Sequence, residues 1–203
     1  MVEVFIQAFV LYFVVIDPIG NTPIFMSITQ SQNGKEKYQT AIEAVLVATI
    51  ILILFSFMGQ FLLSYLHISL ESFRISGGII LFLIAIEMLF NKRQERKEQI
   101  IVPKKNKLSV FPLAIPILAG PASITSVIVI ATKYQDNLIL QSANLLGLVG
   151  VMIISLLLFL LLAKSDKFIN KSITNIISRV IAIILAALSV QYIIDGLLVL
   201  FNK

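Results

Sequence analysis

Long apolar runs alternate along this chain with short polar connections. Six runs stand out: Val4–Ile28, Ile42–Tyr65, Phe73–Phe90, Leu108–Thr132, Leu138–Ala163 and Arg179–Phe201. A helix needs about 20 apolar residues to cross a bilayer core, and every run meets or approaches that length. The pattern predicts an all-α polytopic membrane protein with six transmembrane helices. The second, third, fifth and sixth runs are uninterrupted. The first contains Pro18, Gly20 and Pro23, and the fourth contains Pro116, Gly120 and Pro121. Proline removes a backbone donor and clashes with the preceding turn, so these two spans are predicted to be broken helices.

Composition agrees with the pattern. The hydrophobic fraction is 58% and charged residues are 13%, about half the usual share of a soluble domain. So few polar residues cannot coat a soluble surface, and the lipid bilayer must cover much of the chain. The net charge of +5 comes from Lys and Arg placed between the apolar runs. They read as topology signals, and no recognition motif accompanies them that would indicate nucleic acid. There is no cysteine and one histidine, His67, which leaves no thiolate chemistry and no multi-histidine metal site. The N-terminus lacks a positive n-region and a small-x-small cleavage site, so it is expected to stay as the first span.

The longest polar stretch, Asn91–Lys107, carries Lys92, Arg93, Arg96, Lys97, Lys104, Lys105 and Lys107. It is expected to be a cytoplasmic linker inside a single membrane domain over 1–203, between one half at 1–90 and another at 108–203. With that linker inside and the sides alternating, thirteen Lys and Arg fall in the cytoplasm and three (Arg74, Lys133 and Lys203) fall outside. With an even number of spans, this asymmetry places both termini outside the cytoplasm.

The two halves correspond. Asp17-Pro18-Ile19-Gly20-Asn21-Thr22-Pro23 and Ile115-Pro116-Ile117-Leu118-Ala119-Gly120-Pro121 share Pro-x4-Pro, with Pro18 over Pro116, Pro23 over Pro121 and Ser27 over Thr125. The third and sixth runs also align, Arg74 lying over Arg179. Three spans are an odd number, so the second copy must be inverted. Two inverted three-helix repeats, each opening with a broken span, form the sequence pattern of a transporter with a site near the midplane.

These segments resemble the MarC family of bacterial inner-membrane proteins. The likeness rests on Asp17-Pro18-Ile19-Gly20-Asn21-Thr22-Pro23, on Leu118-Ala119-Gly120-Pro121-Ala122-Ser123-Ile124-Thr125, on Phe73-Arg74-Ile75-Ser76-Gly77-Gly78 and on Val190-Gln191-Tyr192-Ile193-Ile194-Asp195-Gly196. It covers nearly the whole chain. The family is similar in architecture to LysE-type exporters, which implies transport without naming a substrate.

Asp17 is the most informative single residue. It lies about 13 residues into the first run, roughly 20 Å along a helix at 1.5 Å per residue. An ionisable group at that depth is costly and faces a partner or a wet cavity. One reading makes Asp17 the N-cap and Pro18 the first residue of a second half-helix. The other adds a role in a solute or ion site, with Asn21 and Thr22 from the first break and Gly120, Ser123 and Thr125 from the second. Such a set suits a cation, a proton relay or an amine-bearing solute. Two kinked helices packed through small residues are the structural alternative. Arg74 and Arg179, which open matching spans, read as snorkelling interfacial anchors; the alternative is a pair with an intramembrane acid, Arg179 with Asp17. Glu43, Glu87, Asn144 and Asp195, near span ends, read as interfacial. Ser76-Gly77-Gly78, Gly147 with Gly150, and Ala182 with Ala186 are small-residue patches that let helices approach.

No phosphate-binding glycine loop, nucleophile elbow or HExxH motif occurs, so an enzyme is not expected. No cofactor or metal is expected either. The leading expectation is a small-solute or ion transporter, gradient-driven or passive, with its substrate unknown. The alternative is a non-transporting membrane scaffold or assembly factor. Lipid is the expected partner, and self-association into a homo-oligomer stays open.

Overall fold

A computed structural model describes residues 1–90, 109–164 and 171–201. The expected linker at 91–107 and Leu108, the expected first residue of the second half, lie outside the described residues. The described residues are helical nearly throughout, with no strand among them.

Helix α1 (Val2–Ile16) is an apolar run that stops at Asp17, whose backbone is left-handed with φ 55°. Pro18 cannot continue a helix, and a turn leads to α2 (Thr22–Ile28), which holds Pro23 in its first turn. The first apolar run is therefore broken into two helices, as expected. Helix α3 (Gly34–Tyr65) begins earlier than the apolar pattern predicts. Asn33 Oδ1 accepts from the Glu36 N–H at 3.0 Å, and the Glu36 carboxylate accepts from the Asn33 N–H at 2.9 Å. This reciprocal cap starts the helix eight residues before Ile42 and puts Lys35 and Lys37 in its first turn. Helix α4 (Leu70–Leu89) is capped by Ser69, whose hydroxyl accepts from the Ser72 N–H at 3.1 Å.

The fourth span is also broken. Its first part, α5 (Ser109–Leu118), is wound in the wide π form around Pro112 and Pro116. The Ala119 N–H reaches back five residues to the Ala114 carbonyl at 2.8 Å. The second part, α6 (Pro121–Lys133), leaves at a 55° bend. Gly120 sits at the corner, where a Cβ would strike the Pro116 carbonyl oxygen. Helix α7 (Leu138–Lys164) and helix α8 (Lys171–Phe201) complete the bundle. Helix α8 starts eight residues before the predicted Arg179.

By length and apolarity, α3, α4, α7 and α8 can each cross a membrane, and α5 with α6 makes a fifth crossing when taken as one bent span. Helix α1, with 15 residues, spans about 22 Å at 1.5 Å per residue. Alone it is shorter than a bilayer core.

Helices α4 and α8 lie along each other, as do α3 and α7. Helices α1 and α2 pack on α7, and α5 and α6 pack on α3. Tyr12, Ile16, Phe25, Leu52, Leu81, Leu118, Leu148 and Phe159 fill the interior. The Phe25 and Phe159 rings stack at 4.7 Å, tying α2 to α7. Leu46, Ile50, Leu54, Phe57 and Phe61 point outward from α3, apolar side chains that match a lipid surface. Two of the small-residue patches, at Gly78 and at Gly147, act as expected. A Cβ on Gly78 would lie 2.7 Å from the Ser189 carbonyl oxygen, and one on Gly147 would lie 3.0 Å from the Phe9 backbone nitrogen. Glycine is what allows the α4–α8 and α1–α7 contacts to be this close.

Candidate functional site

The first break buries its polar groups and uses them on its own backbone. Asp17 is 3% exposed, and its carboxylate accepts from the Gly20 N–H at 3.0 Å. Asn21, fully buried, donates from Nδ2 to the Ile16 carbonyl at 2.7 Å. Thr22 donates to the Ile19 carbonyl at 2.6 Å. The last carbonyls of a helix lack intrahelical donors, and a bilayer offers none. Asn21 therefore supplies what the end of α1 needs.

One capping assignment changes. Asp17 was expected as the N-cap of the second half-helix with Pro18 as its first residue. Instead Asp17 ends α1 and closes the turn, while Asn21 is the N-cap of α2. The left-handed backbone at Asp17 turns the chain first and postpones the new helix by four residues. Gly20 fits that turn because a Cβ there would lie 2.6 Å from the Asp17 carboxyl carbon.

The second break is built differently. Gly120 caps α6 with its backbone alone, its carbonyl accepting from the Ile124 N–H at 3.0 Å. Pro116 is exposed and joined to Ile115 by a cis peptide bond. Pro121 is exposed, whereas Ser123 and Thr125 are buried, and Thr125 packs against Gly77 of α4. Ser126 is fully buried, and its hydroxyl has no hydrogen-bond partner among the described residues. Helix α1, which ends at Asp17, packs along α6. Arg179 is exposed on α8, while Asp17 is buried.

A polar pair of layers missed by the sequence reading crosses the bundle interior. Tyr12 on α1 donates to Asn144 Oδ1 on α7 at 2.7 Å, with both residues buried. One turn away on the same face of α7, Gln141 Nε2 donates to Ser56 Oγ of α3 at 3.3 Å. Asn144 was expected at the interface, but at 1% exposure it belongs to the interior. The reason is that α7 presents its 141/144 face to α1 and α3 rather than to a membrane surface. The three-residue spacing of two amides inside an apolar run was the available signal. A further cavity, of about 700 Å³, lies among α1, α4, α6 and α8 and is lined by none of the residues predicted at the breaks.

Comparison with known proteins agrees with this picture. The family described as MarC family integral membrane protein matches residues 2–201. A UPF0056 membrane protein of Buchnera aphidicola is 33% identical, covering 95% of each chain. The UPF0056 inner membrane protein YhgN of Escherichia coli K12 is 31% identical, again over 95% of each. A UPF0056 membrane protein of Methanocaldococcus jannaschii is 34% identical over 96% of each. No solved structure matches the chain.

Proposed function

Because this chain belongs to the MarC family of integral membrane proteins, we propose that it is a small-solute or ion transporter of the bacterial inner membrane. Its six spans form two inverted three-helix copies, with both termini outside the cytoplasm. The location follows the name of the Escherichia coli relative, an inner membrane protein, and the orientation follows the distribution of Lys and Arg. Two features support the inverted copies. Each half opens with a broken span, and the packing of α1–α2 on α7 has a counterpart in that of α5–α6 on α3.

The observation that carries the transport reading is Asp17, a carboxylate 3% exposed at a helix break inside an apolar chain. Carboxylates within spans are rare and mark ion or solute routes. Asn21, Thr22, Gly120, Ser123 and Thr125 complete the proposed site, with Arg179 as the ion-pair partner of Asp17. Rocking of one copy against the other would expose it to alternate sides.

A second reading, a non-transporting scaffold, is favoured by one observation: Asp17, Asn21 and Thr22 all bond to backbone within their own turn. Flux of a cation and amine panel into proteoliposomes separates the two. Asp17→Asn keeps an oxygen for the Gly20 N–H while removing the charge. Transport by wild type and its loss in a folded Asp17→Asn variant is the expected result. Equal flux in the two proteins would remove Asp17 from the route, and absence of flux in wild type across the panel would favour the scaffold.

A further inference from the structure

The cavity of about 700 Å³ among α1, α4, α6 and α8 lies within the size range of small-molecule sites, about 300–1,000 Å³. Its lining is ordered by polarity. On α1, Gln7 lies toward the helix start between Ile6 and Ala8, and Val10 and Leu11 follow one turn inward. On α6, Lys133 ends the helix, and Val129 and Ile130 lie one turn inward. On α8, Gln191 and Asp195 lie toward the end, and Leu188 is one turn inward. Three helices thus place polar groups at one end of the cavity and aliphatic groups about 5 Å deeper, one helical pitch. Arg74, near the start of α4, joins the polar end.

Among the side chains that line that end the charges are not balanced. Asp195 already accepts from Gln191 Nε2 at 2.6 Å. Gln7 is engaged by the Tyr134 hydroxyl at 3.4 Å. Lys133 lies 5.3 Å from the Tyr134 ring centroid, a contact that leaves its ammonium donors available. Among the lining residues Arg74 and Lys133 therefore give an excess of one positive charge over Asp195, and the Glu3 carboxylate stands just outside, accepting from Gln7 Nε2 at 3.3 Å. On the orientation expected from sequence, Arg74 and Lys133 are two of the three cations outside the cytoplasm, and they come from different halves of the chain.

We propose that this cavity binds an amphiphile with an anionic head, carboxylate or phosphate, held by Arg74 and Lys133, and an apolar tail lying along Val10, Leu11, Val129, Ile130 and Leu188. A guanidinium presents a planar fork that matches such oxyanions, and the aliphatic walls favour a tail over water. The site is separate from the Asp17 break and requires no transport.

Binding to the full chain in phosphatidylcholine nanodiscs tests this, with decyl phosphate as the probe and calorimetry as the readout. Decyl phosphate should bind with one-to-one stoichiometry. Decyltrimethylammonium and inorganic phosphate should bind at least about tenfold more weakly, the factor given by about 1.4 kcal/mol. Arg74→Gln and Lys133→Gln should each weaken decyl phosphate, and Asp195→Asn should tighten it. Lys133 is exposed, so its variant keeps the fold if Arg74→Gln does not. Phosphatidylglycerol added to the discs distinguishes the sources: competition identifies a lipid head group, and its absence identifies a free amphiphile. Either result supports the site provided decyl phosphate binds. Equal affinity for the cationic probe, unchanged binding in Lys133→Gln, or no binding by wild type would overturn it.

Discussion

Replacing Tyr12 by Phe deletes one oxygen from the bundle interior, and its cost follows from what that oxygen leaves behind. Tyr12 and Asn144 are 0% and 1% exposed, and the Tyr12 hydroxyl donates to Asn144 Oδ1 at 2.7 Å. Asn144 Nδ2 is buried with no partner among the described residues. In Tyr12→Phe both amide atoms are stranded. An unmet buried polar group costs about 1–3 kcal/mol, while side-chain bonds between membrane helices average about 0.6 kcal/mol and reach about 1.7. A loss of about 1–2 kcal/mol is expected. Asn144→Leu behaves differently, because Leu has a similar shape and removes the stranded amine along with the acceptor. Only the Tyr12 hydroxyl is then orphaned, so the net change should lie within about 1 kcal/mol of zero. The double variant, apolar on both sides, should approach wild type, giving a coupling of about 0.6–1.7 kcal/mol. Steric trapping in mixed micelles can measure all four proteins. The chain has no tryptophan for an emission assay, but it also has no cysteine, so two introduced thiols can carry the labels alone. A larger loss in Asn144→Leu than in Tyr12→Phe, or a coupling below about 0.3 kcal/mol, would refute the reasoning.

Four further outcomes are expected. Gly78→Ala sets a Cβ 2.7 Å from the Ser189 carbonyl oxygen and should cost about 1–3 kcal/mol by forcing α4 from α8. Gly150→Ala meets only the Phe9 ring at 3.4 Å and should be neutral or gain up to about 1 kcal/mol from helix propensity; the same micelle unfolding assay compares the two. Asn33→Ala removes the acceptor for the Glu36 N–H and should cost about 0.5–2 kcal/mol, with earlier exchange of the first α3 amides by hydrogen–deuterium mass spectrometry. Reporter fusions should give a cytoplasmic signal when inserted at Asn91–Lys107 and a non-cytoplasmic one at Lys203, and the reverse pattern would remove the orientation proposed from the charge count.

The two breaks were legible because they announce themselves locally. Pro18 and Pro23, or Pro116 and Pro121, interrupt a helix whatever surrounds them. What the breaks do with their polar groups was less legible. Asp17 was expected to start α2, yet it ends α1, since a left-handed residue and an N-cap place similar polar side chains at similar spacings. Asn144 was placed at an interface because distance along a span suggests depth, whereas burial depends on which face of α7 meets α1. The start of α3 was missed because the Asn33–Glu36 cap is polar and the apolar pattern begins later.

Alone, the sequence determined the solvent, the helical class and the positions where helices must stop, since these depend on composition and on the backbone chemistry of single residues. Tertiary structure decided which distant groups meet: Tyr12 with Asn144, Gly78 with Ser189, and Arg74 with Lys133 around one cavity. Such meetings depend on the rotation and crossing of whole helices. Helix packing fixes those by matching side-chain shapes across segments far apart in the chain, and no local pattern encodes that match.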